Sequence, residues 1–233
     1  ALILPLLKRF KNETGINFRL VTGKADGLLK RLEIEGSLSP ADVFITVDAG
    51  RLQRAKKAGV LQKIDNPFLK ERIPASLRDR ENFWFGLSQR ARTIIYNKGT
   101  LDASKLSTYE DLASPTWKGQ LCIRSSDSVY NQSLVASMIE VNGIDKTESW
   151  ARGLVQNFAR PPTGGDTDLL KATAAGQCNI ALANTYYLGR LINSKISSER
   201  NAAKNLKVFW PNQGEGDRGV HVNVSGAGIT KYA

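Results

Sequence analysis

Short β-branched runs alternating with helical stretches constrain this 233-residue chain most. Residues 42–47 (Asp-Val-Phe-Ile-Thr-Val) form a compact run suited to a buried parallel strand. Asp48 is placed to cap the helix that follows, which ends at Gly59. Residues 24–35 carry Leu28, Leu29 and Leu32 at helical spacing and close at Gly36. Further on, residues 121–124 and 178–183 read as strands, with helices at 131–141, 147–158 and 166–175. A last apolar run of this half falls at 208–210. This rhythm predicts βαβ units, hence an α/β fold with a largely parallel sheet. At the start, Leu4, Leu7 and Phe10 repeat at helical spacing before Gly15. Residues 16–20 then alternate as a half-buried strand does. Two extended runs at 83–87 and 92–97 interrupt the pattern, and two more at 221–224 and 227–229 end it. Two successive α/β halves joined by extended segments predict two lobes with a cleft between them.

Charge and cysteine usage narrow the chemistry. Lys and Arg number 33 against 22 Asp and Glu, a net charge of +11. Such a balance suits anionic partners. The basic residues, however, are scattered in pairs such as Lys8-Arg9, Lys30-Arg31 and Lys56-Lys57 on polar helix faces. No block of like charge marks a nucleic-acid arm. No apolar run reaches the roughly 20 residues of a membrane-spanning helix. Cys122, Cys178 and His221 are far apart in sequence, so neither a zinc ligand set nor a Cys-His nucleophile has a local signature. No catalytic arrangement emerges, and the chain reads as a binding protein rather than an enzyme.

Two segments stand where ligands bind in open α/β sheets, at the carboxyl ends of strands. One is Asn184-Thr185-Tyr186-Tyr187-Leu188-Gly189-Arg190, directly after the strand at 178–183. Its tyrosines either turn both phenols to one spot or divide between core and surface. The other is Arg124-Ser125-Ser126-Asp127-Ser128-Val129-Tyr130-Asn131, whose serines and Asp127 are natural helix caps. Tyr130 falls on the same rim. Phenolate is a hard anionic oxygen donor, matched to a hard trivalent cation rather than to zinc or copper. Arg190 lies four and three positions past the tyrosines, where it either supports a phenolate from the same helix face or is a surface residue. Asp166 is placed to cap the helix it opens.

Many segments along nearly the whole chain carry a family resemblance. They include Ser39-Pro40-Ala41-Asp42-Val43, Thr46-Val47-Asp48-Ala49-Gly50, Arg90-Ala91-Arg92, Tyr130-Asn131-Gln132-Ser133-Leu134, Asn184-Thr185-Tyr186-Tyr187 and Val222-Asn223-Val224-Ser225-Gly226. In these the sequence resembles the periplasmic ferric-ion-binding proteins of iron(III) ABC transporters, in their tyrosine-rich branch. The resemblance implies a type II periplasmic-binding-protein fold, α/β and two-lobed, with the ligand cleft between the lobes. It assigns residues 1–96 plus 219–233 to the first lobe and 97–218 to the second, with hinge strands near 91–97 and 219–226. It implies Tyr130, Tyr186 and Tyr187 as iron ligands, Fe(III) as cargo, and a synergistic anion beside Arg92. It also implies a membrane permease as partner, a monomeric protein, and the periplasm as location. The family's first strand with its first-lobe ligands, and its C-terminal helices, are expected to lie outside the given sequence.

Two rivals stand beside iron capture: a solute-binding protein for an oxyanion or a polyamine, and a basic nucleic-acid-binding module. Trp84, Trp117, Trp150 and Trp210 are not set among lysines as base-stacking platforms are, which counts against the second. Cys122 and Cys178 each precede a tyrosine-bearing segment. Side by side in one parallel sheet, their Cα atoms would fall within the about 4.4–6.8 Å a disulfide needs. The periplasm implied by the resemblance permits oxidation. Two reduced, buried thiols are the alternative.

Overall fold

The computed structural model describes residues 3–233. In the first half, helices α1 (Ile3–Thr14), α2 (Ala25–Glu35), α3 (Ala49–Lys57) and α4 (Pro67–Arg72) accompany strands β1 (Val43–Val47) and β2 (Phe85–Asn97). After β2 come β3 (Leu121–Cys122), α5 (Val129–Asn142), α6 (Ile144–Gln156) and α7 (Asp166–Ala174). Then follow β4 (Ile180–Asn184), α8 (Thr185–Ile192), α9 (Ser197–Lys204), β5 (Leu206–Phe209) and β6 (Val222–Ile229). Asp48 caps α3 as expected, its side chain accepting from the Gly50 amide at 3.0 Å.

The two extended runs at 83–87 and 92–97 fuse into one long strand, β2, which serves two sheets. From Phe85 to Ala91 it pairs with β6, and β6 pairs in turn with β1. From Arg92 onward it pairs with β4 on one edge and, from Ile94, with β5 on the other. The partner changes between Ala91, opposite Val222, and Arg92, opposite Asn184. Here the Arg92 amide donates to the His221 carbonyl at 3.0 Å. The buried Tyr109 hydroxyl fastens the same place, donating to the Arg92 carbonyl and accepting from the His221 amide at 3.1 Å.

The largely parallel sheet expected from the rhythm is not what forms. Every named pairing is antiparallel except β3 with β4. Parallel neighbours need a crossover connection between them. Here β6 returns from the far end of the chain to lie antiparallel between β1 and β2, and β2, which alone serves both sheets, lies antiparallel beside β4 and β5.

Three buried clusters form the core. One lies against β1 and β6 and holds Leu29, Leu32, Phe44, Leu52, Ala55 and Trp84. Gly226 allows this packing: a Cβ there would meet the Phe85 carbonyl oxygen at 2.6 Å and Leu52 at 2.7 Å. The other two cover the faces of the second sheet, one around Tyr109, Trp117, Met138 and Trp150, the other around Leu170, Ala181 and Leu191. Cys122 and Cys178 are joined by a disulfide in the latter, with Cα atoms 5.9 Å apart. The strand expected at 16–20 does not form. Residues 15–24 have no regular structure, and Ile16 and Val21 are 56% and 54% exposed. An alternating run becomes a strand only when a neighbour takes its backbone hydrogen bonds, and among the described residues β1 pairs with β6 alone.

Candidate metal centre

β4 is buried throughout and passes straight into α8, so Tyr186 and Tyr187 occupy the first turn of that helix. β3 leads through a short loop into α5, whose first turn holds Tyr130. Because β3 and β4 are adjacent and parallel, both helix starts rise from the same sheet edge. The Tyr186 hydroxyl donates to that of Tyr130 at 3.2 Å. The rings of Tyr186 and Tyr187 lie 4.3 Å apart, centre to centre. The turning backbone therefore brings the three phenols to one rim instead of dividing the pair between core and surface.

Burial makes these phenols reluctant acids. It pushes Tyr130 and Tyr186 up to about 12 and raises Tyr187 as well. At neutral pH all three are protonated, so a cation that takes them as phenolates must displace their protons. The guanidiniums of Arg90, Arg124 and Arg92 lie 5.4, 5.5 and 5.9 Å from the Tyr130 ring centre. The charge of Arg90 pulls the Tyr130 hydroxyl back toward ionisation.

The three arginines are held by carboxylates and amides. Arg92, fully buried, donates to Asp166 at 3.1 Å, to the Asn131 side chain at 2.6 Å and to the Leu182 carbonyl at 3.1 Å. Arg124 reaches the other oxygen of Asp166 at 2.9 Å. Asn131 closes the loop before α5, donating to the carbonyls of Arg124 and Ser125 at 2.8 and 3.2 Å. Arg90 donates to Asp48 at 3.3 Å and to Ser225 at 3.3 Å. Asp48, Arg90, Arg92, Tyr130, Asn184, His221 and Asn223 line one small pocket. Burial pushes His221 down to about 4, so it is neutral there at ordinary pH. A larger cavity of about 200 Å³ between α2 and residues 58–60 and 230–232 contains none of these groups.

Several expectations change. Arg92 is buried, with Nη1 and Nη2 engaged by Asp166, Asn131 and a carbonyl, while its Nε has no partner among the described residues and the residue lines the small pocket. Asp166 does not cap α7; it is the helix's first residue, and the N-cap is Gly165, whose amide donates to Asp168 at 2.8 Å. Buried between two arginines, Asp166 balances their charge instead. Arg190 is exposed, makes no hydrogen bond to either tyrosine among the described residues, and its charge acts on Glu199. The serines before α5 leave the helix start uncapped, Ser128 making no cap bond. Arg90 and Arg124 were not singled out from the sequence. The signal for Arg90 was its place two residues before Arg92 on a strand, which puts both side chains on one face.

Among the described residues no group of three or more His, Cys, Asp or Glu is placed to hold a metal ion. The hard donors gathered here are phenol oxygens. The family pattern of bacterial extracellular solute-binding proteins matches residues 39–215. The chain belongs to that family. Among its members, iron uptake protein A1 of Synechocystis is 50% identical over 228 residues, 98% of this chain and 63% of its own length. A Trichodesmium protein (IdiA, FutA), solved in complex with iron and citrate ligands, is 52% identical with a TM-score of 0.95. The match covers 99% of this chain and 72% of that one. A ferric binding protein from Campylobacter jejuni gives a TM-score of 0.92 at 42% identity, covering 98% and 72%. The chain thus spans about 63% of the length of the curated relative, and it shares the two-lobed α/β architecture of these solute-binding proteins.

Proposed function

We propose that the chain captures ferric iron in the cleft between its lobes through the phenolates of Tyr130, Tyr186 and Tyr187, without catalysis, and delivers it to the permease of an ABC transporter. The observation that carries this reading is the convergence of three phenols on one rim, within hydrogen-bonding and stacking distance of one another. Relatives named for iron uptake and ferric binding support it. Ferric iron is a hard cation that prefers such oxygen donors. Arg90, Arg92 and Arg124 offset part of the cost of turning a half-buried phenol into a phenolate.

The lobes in this reading comprise residues 1–96 plus 219–233 and residues 97–218. The change of β2 partner at Ala91 and Arg92 supports a hinge within 91–97. An anion accompanies the iron, as citrate does in the Trichodesmium structure. Its donors are the buried, unpartnered nitrogens of the small pocket, on Arg90, Arg92, Asn184 and His221. The protein works as a monomer in the periplasm.

Titration with a ferric chelate tests the reading. It predicts a visible phenolate-to-iron charge-transfer band and release of up to three protons per iron, so that affinity rises with pH while the phenols remain protonated in the free protein. A titration that yields neither band nor protons overturns it.

A further inference from the structure

Asp48 and Ser133 belong to different packing units. Asp48 leads into α3, whose Leu52 and Ala55 join Phe44 and Val224 in the core of the first sheet. Ser133 lies on α5, whose Leu134 and Met138 join Trp117 and Trp150 in the core of the second. They stand 85 residues apart in sequence, yet the Ser133 hydroxyl donates to Asp48 Oδ1 at 2.8 Å. The carboxylate is only 1% exposed and already fixed on its own side. The Gly50 amide binds the same oxygen at 3.0 Å, and Arg90 Nη2 reaches the other at 3.3 Å. Ser133 is three residues past Tyr130, and such a pair shares a helix face. The bond therefore joins the first lobe to the turn of α5 that carries a proposed iron ligand.

We propose that the Asp48–Ser133 hydrogen bond is a latch, made when the lobes meet and broken when they separate. A contact present in only one of two conformations shifts their populations by its own free energy, whatever fills the cleft. A hydroxyl donated to a buried carboxylate belongs to the stronger, charge-assisted hydrogen bonds. Asp48 does not travel to make the bond, because the α3 start and Arg90 hold it in place. Ser133 is thus a positioning residue: it acts through the placing of Tyr130's helix, not by holding the metal. Only the iron-release arm of its test rests on the function proposed above.

The test compares wild type, Ser133→Ala and Ser133→Thr in the full chain. Alanine favours helix at this half-buried position, and threonine keeps the hydroxyl. Small-angle scattering of iron-free protein is expected to show a larger radius of gyration for the alanine variant and the wild-type value for threonine. Equal radii for all three overturn the latch, whatever the iron result. In iron-loaded protein, the alanine variant is expected to lose iron to a competing chelator about tenfold faster, equivalent to about 1.4 kcal/mol. Its charge-transfer maximum should stay in place, and threonine should restore the slow rate. Unchanged release overturns the latch's part in retaining iron, and a moved maximum shows that Ser133 acts on the coordination itself. If wild type gives no ferric band, the iron reading fails and scattering alone decides the latch.

Discussion

The two sheets share β2 but, among the described residues, are covered to different depths. The second is covered on both faces, by one cluster around Tyr109, Met138 and Trp150 and another around Leu170, Ala181 and Leu191, with the Cys122–Cys178 bridge within it. The first has, among the described residues, a single, smaller cluster. α1 buries none of its residues, and Ile45 on β1 is 40% exposed. The phenols stand entirely on the deeper half, while the first sheet contributes charge and the partner of the latch. In the proposed function a rim of metal ligands needs a base that does not yield when the lobes move, and the doubly covered, disulfide-tied sheet supplies one.

The largest effect expected is at the rim. Tyr187→Phe should lower ferric affinity by more than about 100-fold, beyond the range seen for partners outside the coordination shell. Competition against a ferric chelator measures it, and retained affinity would shift the site toward the first half. Next is the charge beneath the rim. Asp166→Ala leaves Arg92 buried without its carboxylate and should cost about 3–5 kcal/mol in urea unfolding. Arg190→Ala, on the surface of the same half, should change stability by less than about 0.5 kcal/mol. Equal costs for the two would mean that the network does not hold the second sheet.

Replacing both cysteines with serine should cost about 2–4 kcal/mol, since the bridge closes a separation of 56 residues. Thiol counting on denatured, unreduced protein should find none free. The smallest effect concerns the contrast itself. In hydrogen exchange, α1 amides should show little protection, whereas those of β4 should approach the global limit. Comparable protection in both would erase the difference in depth.

Much of the rim was legible before any fold was known. Tyr186 and Tyr187 follow a run of small apolar residues, so a buried strand and then a turn could be read directly. Asp48 stood where a helix cap is needed, and it caps α3. The helix around Leu29 announced itself by spacing. For Cys122 and Cys178 the sequence left a bridge and two buried thiols open, and the placing of Cys178 just before β4, beside β3, decides for the bridge. What misled was local pattern without a partner. Residues 16–20 alternate as a strand does, yet no neighbour among the described residues takes up their hydrogen bonds. Asp166 opens a helix, yet two arginines claim it.

Sequence by itself determined most of the segments that become helix or strand, and which strand ends carry the tyrosines, because spacing, caps and β-branching act within a few residues. Only the tertiary structure decided that β2 serves two sheets and that β3 and β4 lie side by side. It also buried Arg92 against Asp166 and brought Ser133 against Asp48. Those outcomes depend on which distant backbone edge is free to pair and which buried charge must be balanced, and both are settled only when the chain has closed on itself.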